Sequence, residues 1–485
     1  MTRRAGICLA LAAVVVSGTV VASGFSRTSQ SLQSDLDRIF SDPLLARAII
    51  GARVESLRDG RLVYAQNDQK LVMPASNMKA LTLAVAAERL GWDYTFDTRL
   101  DATGDVSGGI LHGDLVVSGT GDPSIGAAAS PFGEWAGLLA DAGIRRIEGR
   151  IIGDDNAFDD DGIGPGWSWD DLVTYYAAPT GGLSYNENAV SLRMTPGATA
   201  GASVATDITP AGHGLTLNNQ LKTGAAGSAV SVSLDRIAGQ LTLTARGTLP
   251  AGGAATNRSA SVDNPTQFFV EGLRLALIAR GITVTGGAWD IDDVIDAPPG
   301  PARRPIARHT SPPLSSIAGY FMKVSQNFYA ETVVKALGRA AAGAGTHEAG
   351  RRIVRETLAA WGVPAEAVVV VDGSGLSRYN YVTASTMVTV FRRMWQDERM
   401  RGAFAASLPV AGHDGTLDTR MRGTFLDAHV QAKTGTISNV RALSGYLETR
   451  SGHRLVFSII VNHYTAPTAQ IDAIVERALA RLAED

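Results

Sequence analysis

Short stretches in which hydrophobic and polar positions alternate occur at both ends of the chain. Residues Ala52 to Leu57 and Arg61 to Ala65 are β-prone runs on either side of the polar turn Arg58-Asp59-Gly60, which predicts a β-hairpin. Near the C-terminus the same pattern predicts a three-stranded meander followed by a helix. These elements are His429 to Thr436, Arg441 to Glu448, Leu455 to Asn462 and the helix Thr468 to about Leu482.

A helical repeat of apolar positions follows the first hairpin and returns after the centre of the chain. Pro74-Ala75-Ser76 opens one helix, which is expected to run to about Leu90. Later helical segments span Leu314 to Ala341, His347 to Trp361 and Ser385 to Trp395. The predicted order is a hairpin and a helix, then further helices, then strands and a final helix. This order is typical of an α+β domain. In such a domain helices cover an antiparallel sheet.

The centre of the chain has a different texture. Residues 96–300 are rich in Gly, Thr, Val and Ser in short alternating stretches, which predicts a mainly β insert. One helix, Pro265 to Arg280, is expected to interrupt it. The Pro-rich stretch Pro298 to Pro313 is expected to lead back to the first domain. The predicted division is therefore 25–95 and 301–485 for one domain, with one or more inserted domains between them.

The first 24 residues have the pattern of an export signal. Arg3 and Arg4 precede the apolar run Cys8 to Val21, and Ala22-Ser23-Gly24 provides small residues for cleavage. The run is shorter than the roughly 20 residues that span a bilayer, which favours cleavage over an uncleaved membrane anchor. We therefore expect an exported, periplasmic protein with 1–24 as signal peptide. Cys8 is the only cysteine, so the mature chain would contain neither disulfides nor a cysteine nucleophile.

Composition excludes several classes of protein. The 485 residues are 45% hydrophobic and 19% charged, which is typical of a globular chain of two or three lobes. A net charge of -3 provides no basic surface for nucleic acid, so a nucleic-acid partner is not expected.

The strongest chemical signal is a serine and a lysine three residues apart. Ser76 and Lys79 would lie on the same face of a helix, close enough for the amine to accept the hydroxyl proton. Ser76 would also lie at the helix N-terminus, where N–H groups and the helix dipole stabilise an oxyanion. The pattern Ser-x-x-Lys is weak alone, because an N-cap serine followed by a solvated lysine gives the same sequence.

Two further motifs can complete a catalytic set, and each has a rival. Ser325-Gln326-Asn327 and Lys433-Thr434-Gly435, followed by Thr436, match the Ser-x-Asn and Lys-Thr-Gly motifs that accompany Ser-x-x-Lys. Ser184-Tyr185-Asn186 and Lys222-Thr223-Gly224 match equally well and stand in the same order. Ser325 precedes a predicted helix and Lys433 lies on a predicted strand of the terminal meander. The rival pair lies inside the insert, so the Ser325 and Lys433 set is favoured.

These motifs resemble those of penicillin-binding proteins and serine β-lactamases. The long interval between Ser76 and Ser325 is similar to the penicillin-binding protein 4 type of D-alanyl-D-alanine carboxypeptidase/endopeptidase, whose extra domains are inserted at this point. Four other segments resemble that family, namely Val117 to Pro123, Pro165 to Asp170, Asp372 to Arg378 and Gly412 to Leu417. The likeness covers nearly the whole mature chain.

The resemblance implies a fold, a reaction and a role for each motif. The fold would be a β-lactamase/transpeptidase-like domain with a large insert, and the reaction would be hydrolysis of peptidoglycan stem peptides through an acyl-enzyme. Ser76 would be the nucleophile, Lys79 its base, and Ser325 a proton relay to the leaving amine. Asn327 would hold Lys79, and Lys433 with Thr434, Gly435 and Thr436 would bind the substrate carboxylate. The N–H groups of Ser76 and Thr436 would form the oxyanion hole.

The resemblance also implies the ligands and leaves some alternatives open. β-Lactams would acylate Ser76, and neither a metal nor an organic cofactor is implied. Two alternatives to this function stay open. The protein could be a β-lactamase or esterase of the same superfamily, or an inactive cell-wall-binding protein. Membrane or wall association and the oligomeric state stay open. Acidic residues near Trp167 and Trp169 are candidates for binding an amine on the third stem residue, and they are Asp159, Asp160, Asp161, Asp170 and Asp171.

Overall fold

The computed structural model describes residues 31–126 and 128–484, so the predicted signal peptide lies outside the described residues. The helices are α1 (31–40), α2 (Met78–Leu90), α3 (Phe132–Asp141), α4 (Pro265–Ala279), α5 (Leu314–Val324), α6 (Asn327–Ala342), α7 (His347–Ala360), α8 (Ala384–Gln396), α9 (Glu398–Ser407) and α10 (Thr468–Ala483).

The strands lie in three groups along the chain. Those before the long central segment and within its first half are β1 (Ile49–Ser56), β2 (Leu62–Gln66), β3 (Asp97–Ala102), β4 (Val106–Ser107), β5 (Ile110–Leu111), β6 (Leu115–Gly119), β7 (Arg146–Ile147) and β8 (Ile151–Asp154). The next are β9 (Ala189–Thr195), β10 (Ala205–Thr209), β11 (Thr216–Gly224), β12 (Ser231–Asp235), β13 (Thr242–Pro250), β14 (Thr256–Ser261), β15 (Thr283–Val284), β16 (Ala288–Asp290) and β17 (Arg304–Thr310). The last are β18 (Val368–Val369), β19 (Tyr381–Val382), β20 (Val430–Ile437), β21 (Val440–Glu448) and β22 (Arg454–Asn462).

A five-stranded sheet joins the two ends of the chain in the order β2-β1-β22-β21-β20. All neighbouring strands in it are antiparallel, and β1 pairs with β22 along its whole length. The predicted hairpin and meander are thus parts of one sheet, in which β20 is an edge strand.

Helices cover both faces of this sheet. Successive residues of each strand point to opposite sides, so one strand contributes side chains to the core on either face. On β21, Ala442 and Tyr446 belong to one buried cluster with α2, α5, α6 and α8. Leu443 and Leu447 belong to another with α1 and α10. The predicted α+β class, with helices over an antiparallel sheet, is confirmed.

Helix α2 lies in the middle of the first of these clusters. Every residue from Met78 to Ala87 is buried, which explains why the segment is apolar almost all round. The helix ends at Gly91, whose φ of 84° suits glycine better than other residues.

The two ends of the long central segment come together in a mixed α/β region. Its larger sheet has the order β16-β8-β6-β3-β17, and a smaller one has the order β15-β7-β5-β4. Helices α3 and α4 pack on them in a shared core. The sequence predicts α4 but not α3, so this region is less purely β than expected.

Strand β17 lies within the stretch that was predicted to be a linker. It pairs with β3, so the polypeptide leaves this sheet after Thr310 rather than at 300. Prolines favoured the linker interpretation, but β17 is an edge strand and its register shifts between Pro305 and Ala307. Edge strands and bulges are the places where a sheet tolerates proline.

The middle of the segment, residues 189–261, contains two small sheets, β10-β9-β14 and β11-β13-β12. They enclose a core of Leu192, Met194, Val204, Leu221, Ala245 and Leu249.

Among the described residues, no helix combines the length and the apolar character that a bilayer crossing requires.

Candidate active site

Ser76 lies in a single 3-10 turn, Ala75–Asn77, that leads directly into α2. Ala75 has a φ of 47°, in the left-handed region that non-glycine residues rarely adopt. The neighbouring side chains are buried, whereas Ser76 lines a cleft of about 330 Å³. The turn therefore presents the Ser76 hydroxyl to solvent at the start of a buried helix.

The Lys79 amine is fully buried one helical turn after Ser76. Its Nζ lies 3.0 Å from Ser76 Oγ, 2.5 Å from Asn327 Oδ1 and 2.9 Å from the Ser374 carbonyl oxygen. The last two oxygens can only accept hydrogen bonds. A neutral amine has two N–H donors and one lone pair, so donating to both of these oxygens leaves the lone pair for the Ser76 hydroxyl proton.

The pKa of Lys79 is compatible with this neutral form. Burial lowers the pKa to about 7, while the negative charges of Asp372 and Glu331 oppose that shift. These two carboxylates keep the amine from losing its basicity altogether.

Ser325 and Asn327 lie at the junction of α5 and α6. Ser325 ends α5 in the left-handed conformation, with a φ of 63°, and Asn327 is the first residue of α6. The Asn327 amide donates through Nδ2 to the Tyr176 carbonyl oxygen at 2.8 Å. That bond orients the amide so that Oδ1 faces Lys79.

Lys433 lies within the edge strand β20, facing Ser325. Its buried Nζ donates to Ser325 Oγ and to the Thr434 carbonyl oxygen, both at 2.9 Å. Burial lowers the pKa of Lys433 well below its ordinary value, and the positive charges of Lys79 and Arg441 add to the effect. The Thr434 hydroxyl contacts the Thr416 hydroxyl at 2.6 Å.

Gly435 lets β20 pass directly against the turn that contains Ser76. A Cβ at this position would lie 2.6 Å from the Pro74 carbonyl oxygen and 3.1 Å from the Ser76 nitrogen. Any larger residue would push the strand away from the turn. The backbone of β20 and the N–H of Ser76 consequently border the same part of the cleft.

Sequence reasoning missed Glu331, which is fully buried beneath Lys79. Its carboxylate accepts hydrogen bonds from the N–H groups of Gly373 and Ser374, the latter at 2.7 Å. Burial alone would raise the pKa of Glu331, but His347 and these N–H groups keep it below the ordinary value. A glutamate four residues after Asn327, inside an apolar helix, was the available signal, because i and i+4 share a helix face.

The second buried carboxylate, Asp372, connects the loop that contains Gly373 and Ser374 to the central segment. It accepts hydrogen bonds from the N–H groups of Gly375 and Ser377, and from Trp167 Nε1 at 3.0 Å. Burial and the charge of Glu331 raise the pKa of Asp372 to about 6. Trp167 comes from the central segment, so that segment contributes to the surroundings of Lys79.

The insert also contacts the Ser-x-Asn motif. Glu187 accepts hydrogen bonds from Gln326 Nε2 at 2.5 Å and from the Tyr320 hydroxyl at 2.7 Å. The cleft is lined from both sides, by Ser76, Gly166, Ser168, Asp171, Tyr175, Tyr176, Val324, Ser325, Asn327, Leu376, Arg378, Thr436, Ile437 and Ser438.

The rival motifs lie elsewhere. Ser184, Asn186 and Lys222 are not among the residues that line the cleft. Ser184 is buried and bonded to Asn188, and Lys222 is exposed on β11. The structure therefore brings together Ser76, Lys79, Ser325, Asn327 and Lys433, and leaves the rival residues in the insert.

The acidic residues of the insert have separate surroundings. Asp159 forms an ion pair with the buried Lys335 at 2.6 Å. Asp171 lines the cleft and accepts a hydrogen bond from the Tyr176 hydroxyl at 2.8 Å. Carboxylate oxygens of Asp155, Asp290 and Asp292 lie within 4.8 Å of one another and are the described residues that could hold a cation. They are not among the residues that line the cleft.

Comparisons with known proteins agree with this geometry. The model of the D-Ala-D-Ala carboxypeptidase 3 (S13) family matches residues 32–482. The D-alanyl-D-alanine carboxypeptidase of Actinomadura sp. (strain R39) is 36% identical over 467 residues, which cover 92% of this chain and 84% of that protein.

Solved structures show the same fold. The crystal structure of penicillin binding protein 4 from Haemophilus influenzae matches with a TM-score of 0.82 at 23% identity, covering 93% of this chain and 100% of that one. Its complex with a β-lactam matches with a TM-score of 0.73 at 22% identity, covering 93% and 98%. The family predicted from the motifs is thereby confirmed, and the chain belongs to the D-Ala-D-Ala carboxypeptidase 3 (S13) family.

Proposed function

We propose that the protein is a serine-type D-Ala-D-Ala carboxypeptidase and endopeptidase that cuts peptidoglycan stem peptides through an acyl-enzyme on Ser76. One observation carries the proposal: a buried lysine whose pKa lies near 7 is within 3.0 Å of a cleft-lining serine hydroxyl. Such a pair activates serine without histidine. Family membership and the relative from Actinomadura support the same reaction.

Acylation begins at Ser76. Its Oγ attacks the carbonyl carbon of the penultimate D-Ala, and the hydroxyl proton moves to the Lys79 lone pair. Asn327 and the Ser374 carbonyl hold the amine in this orientation. Because the group that receives the proton is already in contact with the nucleophile, no side chain has to move.

The developing oxyanion needs donors from the backbone. The N–H groups of Ser76 and Thr436 fill this role in the proposal, and the close passage of β20 over the Ser76 turn supports it. A donor of this kind stabilises the transition state of acyl transfer by about 3 to 4 kcal/mol. Since β20 is an edge strand, alternate N–H groups of it are free of sheet partners.

Ser325 donates its hydroxyl proton to the leaving amine, and the proton that Lys79 accepted from Ser76 replaces it. Lys433 donates to Ser325 Oγ, so the Ser325 hydroxyl proton remains free to be donated. The terminal carboxylate of the substrate is bound before and during this step by Lys433, Thr434, Gly435 and Thr436. Water hydrolyses the acyl-enzyme to complete the cycle.

A β-lactam resembles the D-Ala-D-Ala amide and acylates the same serine. The β-lactam complex of the Haemophilus influenzae protein supports this part of the proposal. We further propose that the protein acts outside the cytoplasm, because its substrate is the cell wall and residues 1–24 have the pattern of an export signal.

Labelling with a fluorescent penicillin tests the proposal. Wild-type protein should be labelled at Ser76, as located by mass spectrometry of its peptides, and should release D-Ala from muropeptides. Ser76→Ala should lose both activities, whereas Ser184→Ala, which changes the serine of the rival motif, should keep them. Labelling of the Ser76→Ala protein at another serine would contradict the proposal. Rapid loss of the label from wild type would identify a β-lactamase instead.

A further inference from the structure

The side chain of Arg441 lies beside the cleft on the strand next to Lys433. Arg441 on β21 is directly opposite Thr436 on β20, and its Nη1 donates a hydrogen bond to Thr436 Oγ1. Its Nε and Nη2 donate to the two carboxylate oxygens of Asp472 at 2.6 and 2.7 Å. Only 14% of the Arg441 side chain is exposed. The guanidinium is therefore fixed in one orientation.

This contact determines the direction of the Thr436 hydroxyl proton. A guanidinium has donors and no acceptor, so Thr436 Oγ1 must accept from it. The hydroxyl has one proton left to donate, and no acceptor for it is found in the described part of the chain. Thr436 is exposed and lines the cleft. The proton is thus available to a ligand in the cleft.

Arg441 acts on the cleft less through its charge than through this orientation of the Thr436 hydroxyl. Arg420 also contacts Asp472, at 3.1 Å, and Glu476, at 2.8 Å, so two guanidinium groups face two carboxylates. The cluster as a whole is neutral. What Arg441 provides is a threonine hydroxyl held as a donor on the same strand as Lys433, and both groups can donate to a carboxylate.

We propose that Arg441 is a positioning residue for substrate specificity: it holds the Thr436 hydroxyl as a donor to the terminal carboxylate and so favours substrates with a free C-terminus. This inference rests on the proposed function, because it assigns the Lys433 side of the cleft to the carboxylate. Arg441 acts through Thr436 and takes no part in proton transfer at Ser76.

Two β-lactam probes that differ at one group test this inference. The probes are a penicillin with its free carboxylate and the methyl ester of the same penicillin, and the measurement is the second-order rate constant for acylation. Arg441→Met should slow acylation by the free acid about tenfold to a hundredfold, the effect of one hydrogen bond to a charged group. Acylation by the ester should stay within about twofold. Arg454→Met, which removes an exposed arginine of the same sheet, is the control.

A second variant separates positioning from general damage to the fold. Thr436→Val removes the proposed donor and leaves the Arg441–Asp472 pair intact, so it should show the same selective loss. Adding Arg441→Met to Thr436→Val should then cost no further selectivity, because the two residues act as one unit. A double variant with a larger loss of selectivity than either single one would overturn the inference.

The remaining outcomes also test the inference about Arg441. Equal slowing with both probes would mean that Arg441 is merely structural, and unchanged rates with both would mean that Thr436 does not need it. Either result overturns the inference and leaves the proposed function standing. Absence of label at Ser76 in the wild-type protein would instead contradict the proposed function itself.

Discussion

The tripeptide Lys-Thr-Gly occurs in two regions of the molecule with opposite surroundings. Both copies lie on strands, Lys433 on β20 and Lys222 on β11. The Lys433 side chain is fully buried and bonded to Ser325, whereas Lys222 is exposed. The Thr434 hydroxyl contacts the Thr416 hydroxyl, while Thr223 accepts a hydrogen bond from the Gly197 N–H within its own small sheet region.

The difference shows that the chemistry of this motif comes from what packs against it. β20 faces the Ser76 turn and the α5–α6 junction, both remote in sequence, and these supply burial, a partner hydroxyl and a neighbouring amine. β11 pairs with β13 and leaves the Lys222 side chain exposed. A short motif is thus a weak signal until its structural element and neighbours are known.

The largest expected effect concerns Lys79, the proposed acceptor of the Ser76 proton. Lys79→Ala should fold and should lower the acylation rate about 100-fold or more, the usual loss when a general base is removed. The rate of labelling by a fluorescent penicillin measures this, with circular dichroism as the check on folding. Near-normal acylation would show that another group takes the proton.

The two copies of the tripeptide can then be compared directly. Lys433→Ala should reduce acylation strongly, because it removes the partner of Ser325 and a donor to the carboxylate. Lys222→Ala should be nearly silent, as exposed changes usually are. Acylation rates of the two variants under identical conditions test this, and the reverse order would move the active site into the insert.

A third experiment asks which part of the insert matters to the substrate. Asp171 lines the cleft, so Asp171→Asn should weaken turnover of muropeptides with an amine on the third stem residue by about 1.5 to 3 kcal/mol. Penicillin acylation should hardly change. Asp170→Asn, at an exposed neighbour that does not line the cleft, is the matched control. Equal effects on the two substrates would remove Asp171 from recognition of the stem peptide.

The smallest expected effect concerns pH. Acylation requires neutral Lys79, so its rate should rise with pH and level off above a midpoint near the Lys79 pKa of about 7. Glu331 raises that pKa, and Asp372, with a pKa of about 6, is already ionised at pH 7. Glu331→Gln should therefore move the midpoint to lower pH, so that at pH 6 the variant keeps a larger share of its plateau rate. A midpoint at higher pH would contradict this electrostatic role.

Much of the sheet and the grouping of the motifs could be predicted, because each rests on a local pattern. Alternation identified β1, β2 and β20 to β22, and apolar periodicity identified the helix after Ser76. Ser76 and Lys79 are neighbours by helix geometry alone. Choosing Lys433 over Lys222 needed only the predicted element on which each lies.

The rest depends on contacts between segments that are remote in sequence. Glu331 resembles any helical glutamate until the N–H groups of Gly373 and Ser374 are brought to it. Trp167 and the Tyr176 carbonyl contact Asp372 and Asn327 from the central segment. Strand β17 was mistaken for a linker because its prolines are permitted only by its edge position.

The pairing of β1 with β22 has a consequence for how the protein is made. Within its sheet β1 is bonded only to β2 and β22, and β20 to β22 come from the last part of the chain. A polypeptide synthesised from its N-terminus exposes Ser76 and Lys79 long before the strand that carries Lys433 exists. Contacts of such long sequence separation also form slowly. The complete site can therefore form only after the final strands have been synthesised.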